Sequence, residues 1–178
     1  MRINTRTGPP SEVPVSAPVW WVAALYLAIA LLVQIEAGHF VALRGAQLSI
    51  VLVVVVWYAL HSDLRSAAIY GAIAGLCEDA LGVQTGAGWT ISTIVTSVVA
   101  NYLTRWFFAD SIPAVAFVVL CATLLRRMIF WIVMALQGYP AGYARLHFHQ
   151  AVWESLFNAV FAAAAMLAVR RYEDRTVR

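Results

Sequence analysis

Five charged residues lie inside long apolar stretches of the chain, where ionisable side chains are costly. Arg126 and Arg127 interrupt one such stretch, and Glu78, Asp79 and Glu154 interrupt two others. Paired carboxylates can act as general acid and base when both face one wet cavity. Carboxylates opposite guanidiniums form ion pairs instead, because each charge offsets part of the desolvation of the other.

The predicted depth of these residues favours ion pairing. Counted from the predicted inner ends of their helices, all five lie about 21–23 Å from the inner membrane boundary. The sequence therefore predicts an ionic layer in the outer half of a membrane, with three carboxylates facing two guanidiniums. Such a layer can hold helices together, form a ligand or partner site, or pass protons or ions. Glu78 and Asp79 point about 100° apart on a helix, so we expect them not to share a target.

The other chemistry-bearing residues form no recognisable catalytic set. The sequence has no Ser–His–Asp set, zinc-protease helix motif, phosphate-binding loop or dinucleotide fingerprint. Cys77 and Cys121 lie on different predicted helices at different depths, which argues against a disulfide or a thiolate metal site. His147 and His149 alternate in a predicted outer loop and lack a third ligand. We therefore expect no enzymatic activity, no metal and no cofactor.

The segments that position these residues are apolar. Apolar residues make up 62% of the chain and charged residues 12%, with a mean hydropathy of +0.78. A soluble domain is nearer roughly 45–50% apolar and 25% charged. Backbone amides in hydrocarbon must be paired internally, so spans of about 20 apolar residues predict transmembrane helices. Six such helices are predicted, at Pro18–Ile35, Ala46–Leu60, Leu64–Leu81, Trp89–Phe108, Ile112–Leu136 and Gln150–Val169.

The placement of arginine predicts that both chain ends lie in the cytoplasm. The chain has no lysine, and the predicted outer loops hold only Arg44 and Arg145. This positive-inside bias also explains the formal net charge of +3 without nucleic acid as a partner. The predicted cytoplasmic segments hold Arg2, Arg6, Arg65, Arg105, Arg170, Arg171, Arg175 and Arg178.

The domain organisation expected from this pattern is simple. Residues 1–17 are rich in proline and predict a disordered cytoplasmic tail. Residues 18–172 predict a single six-helix transmembrane domain, and residues 173–178 a short cytoplasmic tail. The first helix does not resemble a cleaved signal peptide, because its apolar stretch is long and lacks a clear cleavage site.

Small and polar residues recur at helical spacing and predict close helix packing. The third helix carries Ala67, Gly71, Gly75 and Asp79 at intervals of four, and the fourth carries Thr93, Ser97, Asn101 and Arg105. On the sixth helix, Glu154 and Asn158 share one face. Gly82 and Gly86 give the turn after the third helix its conformational freedom. Asp79 either caps this turn or fixes its helix against the fifth through an arginine.

The segment from Gly75 to Leu103 resembles MreD, the bacterial rod shape-determining membrane protein family. That family has a Gly-Leu-x-x-Asp pattern near the end of one helix, then a glycine-containing turn and another apolar helix. Its last helix holds an asparagine and is followed by a short basic tail. The residues here that match these features are Gly75, Leu76, Asp79, Gly82, Gly86 and Asn158.

The resemblance implies a non-enzymatic scaffold in the bacterial cytoplasmic (inner) membrane. MreD proteins act in the elongasome, the assembly that directs lateral peptidoglycan synthesis and supports rod shape. The implied direct partner is MreC, a single-span protein with a large periplasmic part. MreB, RodA and the transpeptidase partner of RodA are implied as indirect partners. The helix of MreC is expected to dock on a small-residue groove, such as the stripe of the third or fourth helix.

A six-helix protein of this size is also similar to the substrate-binding S component of an energy-coupling-factor vitamin transporter. Ala24 and Ala28 form the kind of small-residue pair that such a component uses to meet its transporter partner. The ionic layer is then a solute site. A fold shared between MreD and S components does not transfer function. A membrane-embedded hydrolase is disfavoured, since no nucleophile has a base assigned to it.

Overall fold

Six α-helices make up almost all of the structure, a computed structural model that describes residues 18–40, 42–43, 46–82, 85–104, 111–140, 142 and 144–176. A hairpin of two two-residue strands, β1 (Ala42–Leu43) and β2 (Ala46–Gln47), connects the first helix to the second. The helices are α1 (Trp20–Phe40), α2 (Ile50–Leu60), α3 (Leu64–Leu81), α4 (Gly88–Thr104), α5 (Ile112–Leu136) and α6 (Ala144–Thr176).

The prediction of six helices is confirmed, and the bounds of α3 and α5 match the predicted spans. Side-chain caps explain why these two helices begin where the sequence predicts. Asp63 accepts hydrogen bonds from the amides of Arg65 and Ser66 at 3.1 Å, and its bond with Ser66 lowers the pKa of its carboxyl. Ser111 accepts from the amide of Ala114 at 3.3 Å.

Several predicted boundaries are wrong. Helix α1 ends at Phe40 rather than Ile35, and α6 ends at Thr176 rather than Val169. The second span does not begin at Ala46, which lies in β2; α2 begins at Ile50, after Ser49. The sixth helix begins at Ala144 rather than Gln150, because the intervening residues include no glycine or proline to stop it. His147 and His149 therefore lie on a helix and not in a loop.

The short helix α2 lies at the centre of the fold. It packs against α1, α3, α4 and α5, and its Val51, Leu52, Val55, Val56 and Ala59 are completely buried. Valine is a modest helix former, so packing against these neighbours rather than intrinsic propensity stabilises this helix.

The small-residue stripes of α3 and α4 face each other. A Cβ atom on Gly75 would lie 2.6 Å from the Cα atom of Thr90, and one on Gly71 would lie 2.9 Å from the Cβ atom of Ser97. Both distances are shorter than real Cβ contacts, so glycine permits this approach. The glycines of the α3 stripe are packed against α4, and Thr93 and Asn101 of the α4 stripe bond α5 and the end of α2. Neither stripe is therefore an open groove for the helix of a partner, contrary to the expectation. Arg105, predicted at the end of the α4 stripe, lies outside the described residues.

Two of the described helices are long and apolar enough to cross a membrane. They are α5, with a mean hydropathy of 2.0, and the Ala144–Tyr172 part of α6, with a mean hydropathy of 1.7. The apolar parts of α1 and α2 are shorter, at Trp20–Glu36 and Ile50–Leu60.

Candidate functional site

Arg126 lies at the centre of a buried polar cluster, and only 1% of its surface is exposed. Its Nε donates to the hydroxyl of Thr93 on α4 at 3.0 Å, and its Nη1 donates to the hydroxyl of Ser49 at 3.0 Å. Its Nη2 pairs with the carboxylate of Glu78 on α3. One guanidinium thus joins α5 to α3, α4 and the start of α2.

Glu78 extends the same cluster to α1. Its Oε1 accepts a hydrogen bond from the side-chain amide of Gln34 at 3.1 Å. The oxygen of that Gln34 side chain in turn accepts from the backbone amide of Val51 at 3.1 Å. Glu78 is 9% exposed, so a full negative charge and its partners are held in the interior. This closed network offsets the desolvation of both charges.

Arg127 and Glu154 form a second ion pair, between α5 and α6. Nε of Arg127 donates to Oε2 of Glu154 at 2.6 Å, and Nη2 of Arg127 forms an ion pair with the same oxygen. The Glu154 side chain is 2% exposed, whereas that of Arg127 is 22% exposed. Four of the five residues predicted to form the ionic layer are therefore brought together as two pairs.

Trp89 packs beneath both guanidiniums. The central carbon of Arg126 lies 4.5 Å from the centre of its indole ring, and that of Arg127 lies 5.1 Å away. The Trp89 ring stacks on Phe130 at 4.0 Å. Close cation–π contacts of this kind stabilise desolvated guanidiniums by up to about 2 kcal/mol. The tryptophan therefore couples the two ion pairs to the first turn of α4.

Asp79 does not join the ionic layer, and that part of the prediction is wrong. Its carboxylate accepts from the backbone amides of Trp89 and Thr90, at 3.1 and 2.8 Å, and from the Thr90 hydroxyl at 2.6 Å. It therefore caps the N-terminus of α4, where free amides and the helix dipole favour a negative charge. Since Asp79 is rotated about 100° from Glu78, it faces α4 while Glu78 faces α5.

Asn101 and Asn158 fix helix ends elsewhere in the interior. Nδ2 of Asn101 donates to the carbonyls of Ala59 and Ser62, at 2.8 and 2.7 Å, where α2 ends. Oδ1 of Asn158 accepts from the amide of Ser49 at 2.9 Å, where α2 begins. The two asparagines thus bond both ends of the central helix.

The turn between α3 and α4 uses the two predicted glycines differently. Gly82 ends α3, and its amide donates to the carbonyl of Glu78 at 2.9 Å. Gly86 has a φ of +51°, a conformation that favours glycine, and its carbonyl accepts from the side chain of Gln137 at 2.6 Å. That bond links the turn to the end of α5.

Ala67 of the α3 stripe is buried against the core, at 1% exposure.

A cavity of about 390 Å³ adjoins both ion pairs. Its walls include Arg126, Arg127, Glu78 and Glu154, with Trp89 and apolar residues of α1 and α3. The two arginines and two glutamates sum to no formal charge. The cavity volume lies within the roughly 300–1,000 Å³ range of small-molecule sites.

Three residues of this cluster, Gln34, Ser49 and Trp89, are not predicted as members by the sequence pattern. Gln34 is a single amide within an apolar run, and such a residue is a signal of a buried polar contact. Ser49 gives no such signal, because its role depends on the packing of α2 against α5 and α6. Trp89 is also an aromatic residue at a helix end, and nothing in its spacing indicates contact with the arginines.

No protein-family model, no curated protein and no solved structure matches this chain.

Proposed function

We propose that this chain is a multi-pass protein of the bacterial cytoplasmic membrane, with six spans and both ends inside. The support is the distribution of polarity across the fold. Arg126, Glu154 and Asn158 are buried, whereas Leu76 and Val160 are 64% and 69% exposed. Lipid favours apolar side chains outside and paired polar groups inside.

Within that membrane, we infer a non-enzymatic scaffold of the MreD type that binds an MreC-like protein and supports rod shape and lateral peptidoglycan synthesis. The observation that carries this inference is the division of roles within the Gly-Leu-x-x-Asp pattern. Gly75 allows α4 to pack closely against α3, and Asp79 caps the N-terminus of α4. Leu76, the other residue of the pattern, packs outward at 64% exposure. A pattern residue with no internal packing role is available to a partner.

The surface around Leu76 is a ridge on α3 that also includes Ile69 and Ile73, each about half exposed. Residues at this spacing lie on one helical face. The interior behind the ridge is fixed by the α3–α4 contact and by Glu78. We propose that the membrane helix of the MreC-like partner packs against this ridge.

Affinity capture in mild detergent, followed by mass spectrometry, tests the proposal. The unchanged chain is expected to recover an MreC-like single-span protein, with MreB, RodA and the RodA transpeptidase partner recovered through it. Leu76→Trp is expected to lose that protein. Val160→Trp, an equally exposed position on α6, is the matched control and is expected to retain it. Equal capture by both variants would contradict the α3 ridge, and absence of the protein from all samples would contradict the scaffold.

The cavity beside the ion pairs favours a second candidate function, that of a vitamin-transporter S component. Ala24 and Ala28 on α1 are both exposed and available to a transporter partner. In this reading the cavity holds a solute at Arg127 and Glu154. Recovery of a small molecule with an ATPase module, in place of a single-span protein, would favour this function over the scaffold.

A further inference from the structure

A second cavity, of about 690 Å³, runs along the length of α2 and is separate from the cavity beside the ion pairs. It is lined mainly by α2 and α6, with two valines of α5 and Tyr26 of α1; we name it the α1–α6 groove. Val53 and Val54 of α2 line it and are only half-buried, although the adjacent Leu52 and Val55 are completely buried. The groove is the place where the central helix lacks a covering element.

The walls of the groove are almost entirely apolar, but one end is not. Arg170 of α6 carries the one formal charge among the described residues that line it, and His61 lies at the same end. Nδ1 of His61 and the carbonyl of Trp57 are 2.8 Å apart, and the Trp57 ring meets Tyr26 edge-on at 5.5 Å. Aromatic rings beside a cation are typical of the boundary between hydrocarbon and lipid headgroups.

The dimensions of the groove fit a lipid chain better than a protein helix. It extends along α2 from Ile50 to His61, about 16 Å at 1.5 Å per residue. One leaflet of hydrocarbon is about 15 Å deep. A helix of about 10 Å diameter would place only about six residues in this volume.

We propose that the α1–α6 groove binds an anionic phospholipid, with one acyl chain against α2 and the phosphate at Arg170. The charge is complementary, since no carboxylate is among the described lining residues to repel a phosphate. The site rests on the membrane location proposed above and is independent of the MreC-like partner. Basic pockets between membrane helices on the cytoplasmic side are suited to such headgroups.

Native mass spectrometry of the detergent-purified chain, titrated with phosphatidylglycerol and phosphatidylcholine, tests the site. One phosphatidylglycerol is expected to bind, more tightly than phosphatidylcholine. Arg170→Gln is expected to weaken phosphatidylglycerol binding about fivefold, since one basic residue contributes about 1 kcal/mol at a lipid headgroup. Arg175→Gln removes the same charge from the same helix but does not line the groove, and is expected to leave binding unchanged. Equal effects of the two substitutions, or equal binding of the two lipids, would overturn the site.

A second pair of variants tests the apolar part. Ala165 lines the groove and is exposed, so Ala165→Trp is expected to fill it and displace the lipid. Ala168→Trp is the control on an exposed position outside the groove. Dimers or a protein partner lost on Ala165→Trp, with lipid binding unaffected, would assign the groove to that occupant instead. A chain that needs detergent for extraction but binds no phosphatidylglycerol overturns the groove alone; a chain soluble without detergent overturns the membrane proposal as well.

Discussion

Arg126 and Arg127 are consecutive residues with different surroundings. Arg126 is 1% exposed, and its guanidinium is shared among Thr93, Ser49 and Glu78. The Arg127 side chain is 22% exposed beside the cavity and pairs with Glu154. The rotation of about 100° between adjacent helical positions produces this difference. Depth in the fold therefore does not determine whether a buried charge is structural or accessible; rotation about the helix axis does.

The largest expected effect is at Arg126. Arg126→Met leaves Glu78 as a buried charge without its cation, which costs about 3–5 kcal/mol of unfolding free energy. The double variant Arg126→Met with Glu78→Met removes both charges and should recover most of that loss. Thermal unfolding in detergent, followed by tryptophan fluorescence, measures both. A single variant as stable as the unchanged chain would show that the network does not hold the helices together.

Arg127→Met should cost less, about 1.5–3 kcal/mol, because the Arg127 side chain is 22% exposed and bonds one partner, whereas Arg126 is buried and bonds three. The same unfolding measurement applies. If both arginine variants lose equal stability, the distinction between a structural and an accessible pair fails.

The contact that supports both pairs is the approach of α3 to α4 at Gly75. Gly75→Ala places a methyl group against the backbone of Thr90, which cannot yield as a flexible side chain can, and should cost about 1–3 kcal/mol. Helix α4 carries Trp89, so its displacement should weaken both arginine contacts. Gly138→Ala is not a suitable control, because Gly138 has a φ of +88°. Ala80→Ser, on the exposed face of α3, is a suitable control variant and should leave the free energy of unfolding unchanged.

Asp79→Ala should cost about 0.5–2 kcal/mol, the usual loss of a helix N-cap. Asp79→Asn keeps one acceptor oxygen for the amides of α4 and should lose less. Hydrogen exchange of the Trp89 and Thr90 amides, measured beside thermal unfolding, should report the lost cap directly. Unchanged exchange in Asp79→Ala would contradict the capping role.

The smallest effect is expected at a buried hydroxyl with no hydrogen-bond partner among the described residues. Thr96 is completely buried, and its Oγ1 is such an atom. Thr96→Val keeps the shape and removes the unsatisfied group, so stability should be unchanged or slightly higher. A loss above about 1 kcal/mol would indicate that this hydroxyl, like Arg126, belongs to a polar network.

Apolar run length predicts the six helices well, since hydrocarbon-like segments of this length form helices. Counting residues along those helices also brings Glu78, Glu154 and the two arginines to one level. The same counting is wrong for Asp79, because it gives the depth of a residue along its helix but not the direction in which the side chain points around the helix axis. Gln34 and Ser49 could not be assigned, since their contacts depend on how α1 and α2 pack. The second span is predicted too long, because apolar composition alone does not locate the start of α2. That start is set by Ser49, whose amide bonds the side chain of Asn158.

The bond between Ser49 and Asn158 has a consequence for biosynthesis. Its two residues are 109 positions apart. A ribosome extends the chain at about 5–20 residues per second, so the start of the central helix must wait about 5–20 seconds for its acceptor. During that interval α2, only eleven residues long, lacks the α5 and α6 residues that bond its first turn. The nascent chain is therefore most open to degradation or chaperone binding before α6 emerges. A chain truncated ahead of Asn158 should have a shorter lifetime than the full chain.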